Sequence, residues 1–240
     1  MPALSAAALL DLWDDCARSR PLQRTLALIR ATGDADAEDI PRWPMGRVDA
    51  HLLSLREAAF GPEMQCEANC PACVARLEFV LRTTSLRLAE VPGAGEADLR
   101  YGEFEIALRA PTLGDLLACE ASPETALDQL LRGSIRQLRR GGIEVRASEL
   151  PEDARPAIDA RLAQLDPQAD LTLDLDCPDC GHVWQTGFDI AAFVWREIGE
   201  WVRRTLEEIH LLASRYGWSE QQILALPPAR RAWYVEKALG

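Results

Sequence analysis

The sequence has no phosphate-cradling glycine loop and no Gly-x-Ser-x-Gly elbow, which removes the commonest nucleotide-binding and serine-hydrolase readings. Its only three histidines, His51, His182 and His210, do not fall in any metal-hydrolase pattern. Paired carboxylates such as Asp14-Asp15 and Glu207-Glu208 read as solvated faces, so no active site is expected. No run approaches the roughly 18 apolar residues of a membrane span. Asp11, Asp14 and Asp15 interrupt Met1 to Arg20, where a signal peptide would need an unbroken apolar stretch. Positive charge is also short: the formal net charge is −12, against the basic footprint that a nucleic-acid surface needs. These features point to a cytoplasmic chain, in which seven cysteines mean metal binding or free thiols rather than disulfides.

What the sequence does have is a repeated motif. Cys70-Pro71-Ala72-Cys73 is echoed by Cys177-Pro178-Asp179-Cys180, each between short apolar, strand-like runs. Met64 to Ala68 precede the first, and Ala75, Leu77, Phe79 and Leu81 alternate after it. Leu171, Leu173 and Leu175 precede the second, with Val183, Trp184 and Phe188 beyond. Two cysteines flanking a proline-fixed turn can point at one ion, and two such turns supply the four thiolates of a structural zinc site. The 103 residues between the halves (74 to 176) are no obstacle. Closing such a loop costs about 4 kcal/mol, whereas structural zinc contributes on the order of 10 kcal/mol. The competing readings are two unrelated surface turns with reduced thiols, or a redox Cys-x-x-Cys. The latter expects a strand–motif–helix context, and both motifs here lie between strands. Four thiolates would also leave no open position for catalysis by zinc. Cys66, which alternates with Met64 and Ala68, reads as a strand residue facing the core, and His182 as a neighbour of the site; either is a conceivable substitute ligand.

Around this centre the chain reads as α+β and predominantly helical. Leu9, Leu10, Leu12, Trp13 and Cys16 mark a first helix capped by Ser5, with Cys16 on its apolar face; Pro21 to Ala31 form a second. Thr32 to Glu38 is a solvated loop, and Pro41 to Pro44 a rigid connector. Val48 to Ala59 predict a third helix ending near Gly61-Pro62, with His51 at a surface or core edge. Leu86 to Asp98 is expected to be a loop, and Phe104, Ile106 and Leu108 a half-buried strand. Thr112 or Pro111 starts a helix through Cys119, itself a core residue, and Ser122-Pro123-Glu124 caps another to about Arg132. Arg132, Arg136, Arg139 and Arg140 read as a solvated helix face balanced by acids. Gly141-Gly142 precede a short strand at 143–145, and Pro151 opens a helix that stops at Asp166-Pro167. From Ile190 to Tyr216 apolar residues step by three or four, giving one long amphipathic helix ended by Gly217. Ser219 to Gln222 is a capping box, Pro227-Pro228 breaks the helix it starts, and a last helix runs from Arg230 to Leu239. The expected organisation is a helical part (1–62), a knuckle-bearing part (63–187, hairpins at 64–81 and 171–186) and a C-terminal helical part (188–240).

These segments carry a family resemblance. Leu52 to Pro62, the hairpin leading to Leu77-Glu78-Phe79, Leu165 to Asp170, Cys177 to His182, Phe188-Asp189-Ile190, His210 to Ala213, Tyr216 to Glu220 and Ile223 to Leu226 together resemble the T4-type phage baseplate (hub assembly) proteins of contractile tails and phage-like contractile injection systems. The likeness departs at Val74, where glycine is expected. The resemblance implies a non-enzymatic protein that helps build the baseplate or hub, as a chaperone-like factor or a minor component. Its partners would be other baseplate or tail proteins, met in the cytoplasm during assembly. Seven tryptophans suit packed interfaces, and Trp201, Trp218, Trp233 and Tyr234 are the candidate partner-binding residues. The alternative is a zinc-ribbon adaptor for nucleic acid or the transcription machinery, which the negative charge opposes.

Overall fold

Helix α1 (Ala6–Cys16) begins where the Ser5 hydroxyl accepts the Ala8 amide, and α2 (Pro21–Ala31) begins on a proline that has no amide to satisfy. The computed structural model describes residues 4–88, 95–121 and 123–240. A 3-10 turn at Ile40–Arg42 leads into α3 (Met45–Phe60), which stops at Gly61, φ 87°. Strands β1 (Glu63–Asn69) and β2 (Arg76–Arg82) form an antiparallel hairpin in register from Glu63↔Arg82 to Asn69↔Arg76. One helical turn, α4 (Thr83–Leu86), follows. Next come β3 (Glu96–Tyr101), β4 (Phe104–Arg109), α5 (Leu113–Ala121), α6 (Ala126–Ser134), β5 (Ile135–Arg140) and β6 (Ile143–Glu144). The four strands make one sheet in the order β3-β4-β5-β6, each antiparallel to its neighbour. After α7 (Arg155–Leu165), β7 (Thr172–Asp176) and β8 (Val183–Gly187) form the second separate hairpin. The chain closes with α8 (Ile190–Tyr216), α9 (Glu220–Leu224) and α10 (Pro228–Leu239).

The two ends of the chain share the principal core. Leu9, Leu28, Ile29, Leu52 and Leu53 from the first three helices pack with Ile190, Val194, Ile198, Val202 and Leu212 of α8. The crossing of α1 and α8 is set by Gly199, where an added Cβ would lie 2.8 Å from the Trp13 ring. Trp13 in turn stacks on Trp195 at 5.1 Å. Arg56 on α3 is almost fully buried and grips Glu197 on α8 through two hydrogen bonds of 2.8 and 2.7 Å. It also donates to the Gly61 carbonyl, so the guanidinium is satisfied where a lone buried charge would be costly. A second, smaller core lies under the four-stranded sheet, where Phe104, Ile106, Leu108 and Leu138 cover Ile158 of α7.

A turn after α7 fastens the two cores together. Asp166 accepts the Gly46 amide at 2.8 Å, so the N-terminus of α3 is capped by a carboxylate 120 residues away in sequence. Two residues on, fully buried Gln168 accepts from the Leu88 amide at 2.8 Å and donates to the Leu86 carbonyl at 3.0 Å. Gly46 is required by this contact, since a Cβ there would sit 1.9 Å from an Asp166 oxygen.

Several expectations need correction. Residues 96–98, read as the end of a loop, begin strand β3, and Thr83–Leu86 form a helical turn that the sequence did not announce. The remainder of that loop from 89 to 94, and the cap assigned to Ser122, lie outside the described residues. Arg136, Arg139 and Arg140 lie on β5 rather than on a helix. Their charge is locally balanced: Arg132 pairs with Asp128, Arg136 with Glu96 and Arg140 with Glu103. Cys119 is buried as expected, whereas Cys16 is only half-buried against the main core.

Alanine at a helical glycine ordinarily adds up to about 1 kcal/mol of stability. Gly46→Ala is expected to do the reverse, costing about 2–3 kcal/mol by expelling the capping carboxylate. Urea denaturation will show this loss, and it should largely disappear in an Asp166→Ala background.

Candidate metal centre

Each hairpin turns through a cysteine knuckle, and the two knuckles are hydrogen-bonded alike. In the first, the Val74 amide donates to the Cys70 carbonyl and the Cys70 amide to the Ala75 carbonyl, both at 2.9 Å. In the second, the Gly181 amide donates to the Cys177 carbonyl and the Cys177 amide to the His182 carbonyl, again both at 2.9 Å. The strands on either side hold these turns open toward each other. Leu77 and the two inner cysteines, Cys70 and Cys177, are buried in a small shared cluster, with Ala75, Phe79 and Trp184 packed against it.

The outcome is a four-sulfur cluster. The Sγ atoms of Cys70, Cys73, Cys177 and Cys180 all lie within 4.8 Å of one another. Cys70 faces Cys180 at 3.7 Å, and Cys73 faces Cys177 at 3.6 Å. A tetrahedron of sulfurs around zinc at ~2.3 Å has edges of about 3.8 Å, so the cross-knuckle spacing fits a tetrathiolate site. It does not fit disulfides, which need ~2.05 Å. Two of the cysteines are buried and two exposed, so the cluster lies near the surface. Against the desolvation that raises it, amides of Cys73 and Ala72 hold the Cys70 thiol down to about 7. Cys73 is pushed up to about 12: the Ala75 amide favours its thiolate, but the neighbouring thiols Cys180, Cys177 and Cys70 oppose it. Four thiols this close cannot all ionise without a cation among them.

Cys66 faces the main core and lies outside the cluster. His182 contributes its backbone to the second knuckle, while its ring stacks on Trp184 at 6.0 Å.

The aromatic residues singled out in the sequence separate into two groups. Trp218, Trp233 and Tyr234 adjoin one another: Trp218 and Tyr234 meet at 4.8 Å, and Trp233 and Tyr234 at 5.0 Å. Trp218 and Tyr234 are half-buried against the main core, whereas Trp233 is 53% exposed. Trp201 is half-buried on α8 against the main core and makes no ring contact with this group among the described residues. Tyr216, read as the last apolar step of α8 and as part of the family resemblance but not as a partner-binding residue, completes the cluster by stacking on Trp218 at 4.8 Å. The Tyr-Gly-Trp triplet was the available signal, because Gly217 in a left-handed conformation folds the two rings together. An ion pair of 2.8 Å between Arg231 and Glu208 fastens α10 to α8 beside them.

Val74 is strained. The residue after the second cysteine of each knuckle adopts a left-handed backbone; Gly181 does so at φ 70° without penalty, and Val74 must do so at φ 63°. A β-branched residue is the least suited to that region. Val74 is also 76% exposed, so little packing offsets the strain. Val74→Gly is expected to stabilise the folded protein by about 1 kcal/mol net of the added chain entropy, read as a raised midpoint in chemical denaturation. Gly181→Val should cost a similar amount or more.

A sequence profile described as T4 bacteriophage base plate protein matches residues 25–195. No curated protein and no solved structure matches the chain. The match covers 171 of the 240 residues (195 − 25 + 1) and includes both knuckles and the Asp166 turn. It ends within α8, ahead of the aromatic cluster. The chain therefore belongs to the T4 bacteriophage base plate protein family.

Proposed function

We propose that the protein is a non-enzymatic component or assembly factor of the baseplate hub in a phage-type contractile tail or injection system, organised by one structural zinc ion. Cys70, Cys73, Cys177 and Cys180 would hold the ion as thiolates, joining the two hairpins into a ribbon-like element. The observation that carries this reading is the convergence of four Sγ atoms within 4.8 Å from turns over a hundred residues apart. A thiolate zinc with all four positions filled supplies cross-linking and no Lewis-acid chemistry. The family match supports the baseplate setting, and partners would then be other baseplate or tail proteins. The aromatic group at the C-terminus is the proposed partner surface, with Trp233 as its exposed member, Trp218 and Tyr234 as its support and Trp201 on the adjoining helix.

Purified protein is expected to contain one zinc per chain by elemental analysis. Cys70→Ser and Cys177→Ser should each abolish binding and lower apparent stability by on the order of 10 kcal/mol. Metal retained in either variant would separate the two knuckles. Capture of baseplate components should fall at least tenfold on deleting 217–240 and also in the folded Trp233→Ala variant. Undiminished capture by both would remove the C-terminal surface from the proposal.

A further inference from the structure

A cleft of about 670 Å³ opens on the side of the main core, between α2, the start of α3 and the start of α8. Its walls are largely apolar, with Leu28, Met45, Leu171, Ile190 and Trp195 among them. Asp49, one turn into α3, also lines it and has no hydrogen-bond or ion-pair partner among the described residues. A carboxyl group lining an apolar cleft without a hydrogen-bond or ionic partner is an unmet polar demand.

The surroundings decide which charge would answer it. Helix N-termini attract anions, and three of them border this cleft, yet each is already occupied by a carboxylate of the chain. Glu120 accepts the Leu22 amide at 3.2 Å, Asp166 the Gly46 amide at 2.8 Å and Asp189 the Ala192 amide at 2.9 Å. Neither of the two arginines on the walls pairs with Asp49 among the described residues. Arg24 donates to the Cys16 and Ala17 carbonyls and lies over Trp195, and Arg196 lies over Phe193. Asp170 and Asp189 add further negative charge to the lining. Burial first, then Asp189 and Asp166, push the Asp49 carboxyl up to about 8.

We propose that this cleft receives a cationic side chain of a partner protein, a lysine or arginine whose charge meets Asp49 and whose aliphatic stem packs on the apolar walls. Long cationic side chains suit such a site because stem and head group demand different surroundings. The inference rests on the cleft alone, and it stands or falls separately from the metal centre and the aromatic surface.

The probe is pentylammonium, compared with 1-pentanol and pentanoate by chemical-shift titration of the full chain at pH 7. Pentylammonium is expected to bind with a dissociation constant of ~1–10 mM, the range open to so small a ligand. It should bind at least about fivefold more tightly than pentanol, and that preference should vanish in Asp49→Asn. Because the cation stabilises the carboxylate of a group that is protonated when free, binding at pH 7 should release close to one proton. Calorimetry in two buffers reads this, and Asp49→Asn should release none. The raised carboxyl also opposes folding as pH climbs from about 4 toward 8, since the unfolded chain gives up that proton first. Asp49→Asn should therefore melt several degrees above the wild type at pH 8 and level with it at pH 4, which checks that the variant folds. Equal binding of pentanol, stronger binding of pentanoate, or an ammonium preference that survives in Asp49→Asn would each overturn the proposal.

Discussion

One constraint joins distant parts of the chain: Cys70 and Cys73 meet Cys177 and Cys180, with all four sulfurs within 4.8 Å of one another. Everything between the two knuckles leaves the first hairpin and returns to the second. The four-stranded sheet with α7 is the excursion, and the turn from Asp166 to Gln168 is what returns it to register. Asp166 ties that turn to α3, Gln168 ties it to the backbone after α4, and β7 follows at once. The second knuckle is thus delivered to a place already defined by the first hairpin and α3.

The main core is built on a different principle. It joins the two ends of the chain through α8, whose buried residues face three earlier helices at once. The Arg56–Glu197 pair and the tight seat of Gly199 on Trp13 make that packing directional rather than merely apolar. Two hairpins that could otherwise swing independently are thereby held by the same helical body, since β1 leaves α3 and β8 enters α8. The family match covers both knuckles and α3 but ends early in α8, so it leaves out α1, Glu197, Gly199 and the C-terminal aromatic group.

Helix ends were legible because their signals are local: Ser5, Pro21, Gly217 and the Ser219–Gln222 box each act within one turn of the chain. The knuckles were legible because a cysteine pair flanking a proline turn has few other uses, and its repetition sharpens the inference. Strand β3 was missed because Ala97 is its only buried residue, leaving little alternation to read, and nearby Gly and Pro suggested a loop. The Arg136–Arg140 run was misread because its balancing acids, Glu96 and Glu103, come from other strands and a turn rather than the same helix. The Asp166 cap and the cleft around Asp49 could not be read at all. Each joins segments far apart in sequence, and neither leaves a periodic or motif-like trace.

The distance between the knuckles also has a consequence in time. Cys180 follows Cys73 by 107 residues (180 − 73), which at ~5–20 residues per second is roughly 5–20 s of synthesis. For most of that interval the first hairpin has two thiols and a strained turn with nothing opposite them and α3 lacks its distant cap, and throughout it α3 lacks its long packing partner. A nascent chain interrupted anywhere before the second knuckle therefore holds neither a sulfur cluster nor a closed core. The sulfur cluster and the closed core both await residues from 177 onward, so chains stopped before that point differ sharply from longer ones in exposed thiol and exposed apolar surface.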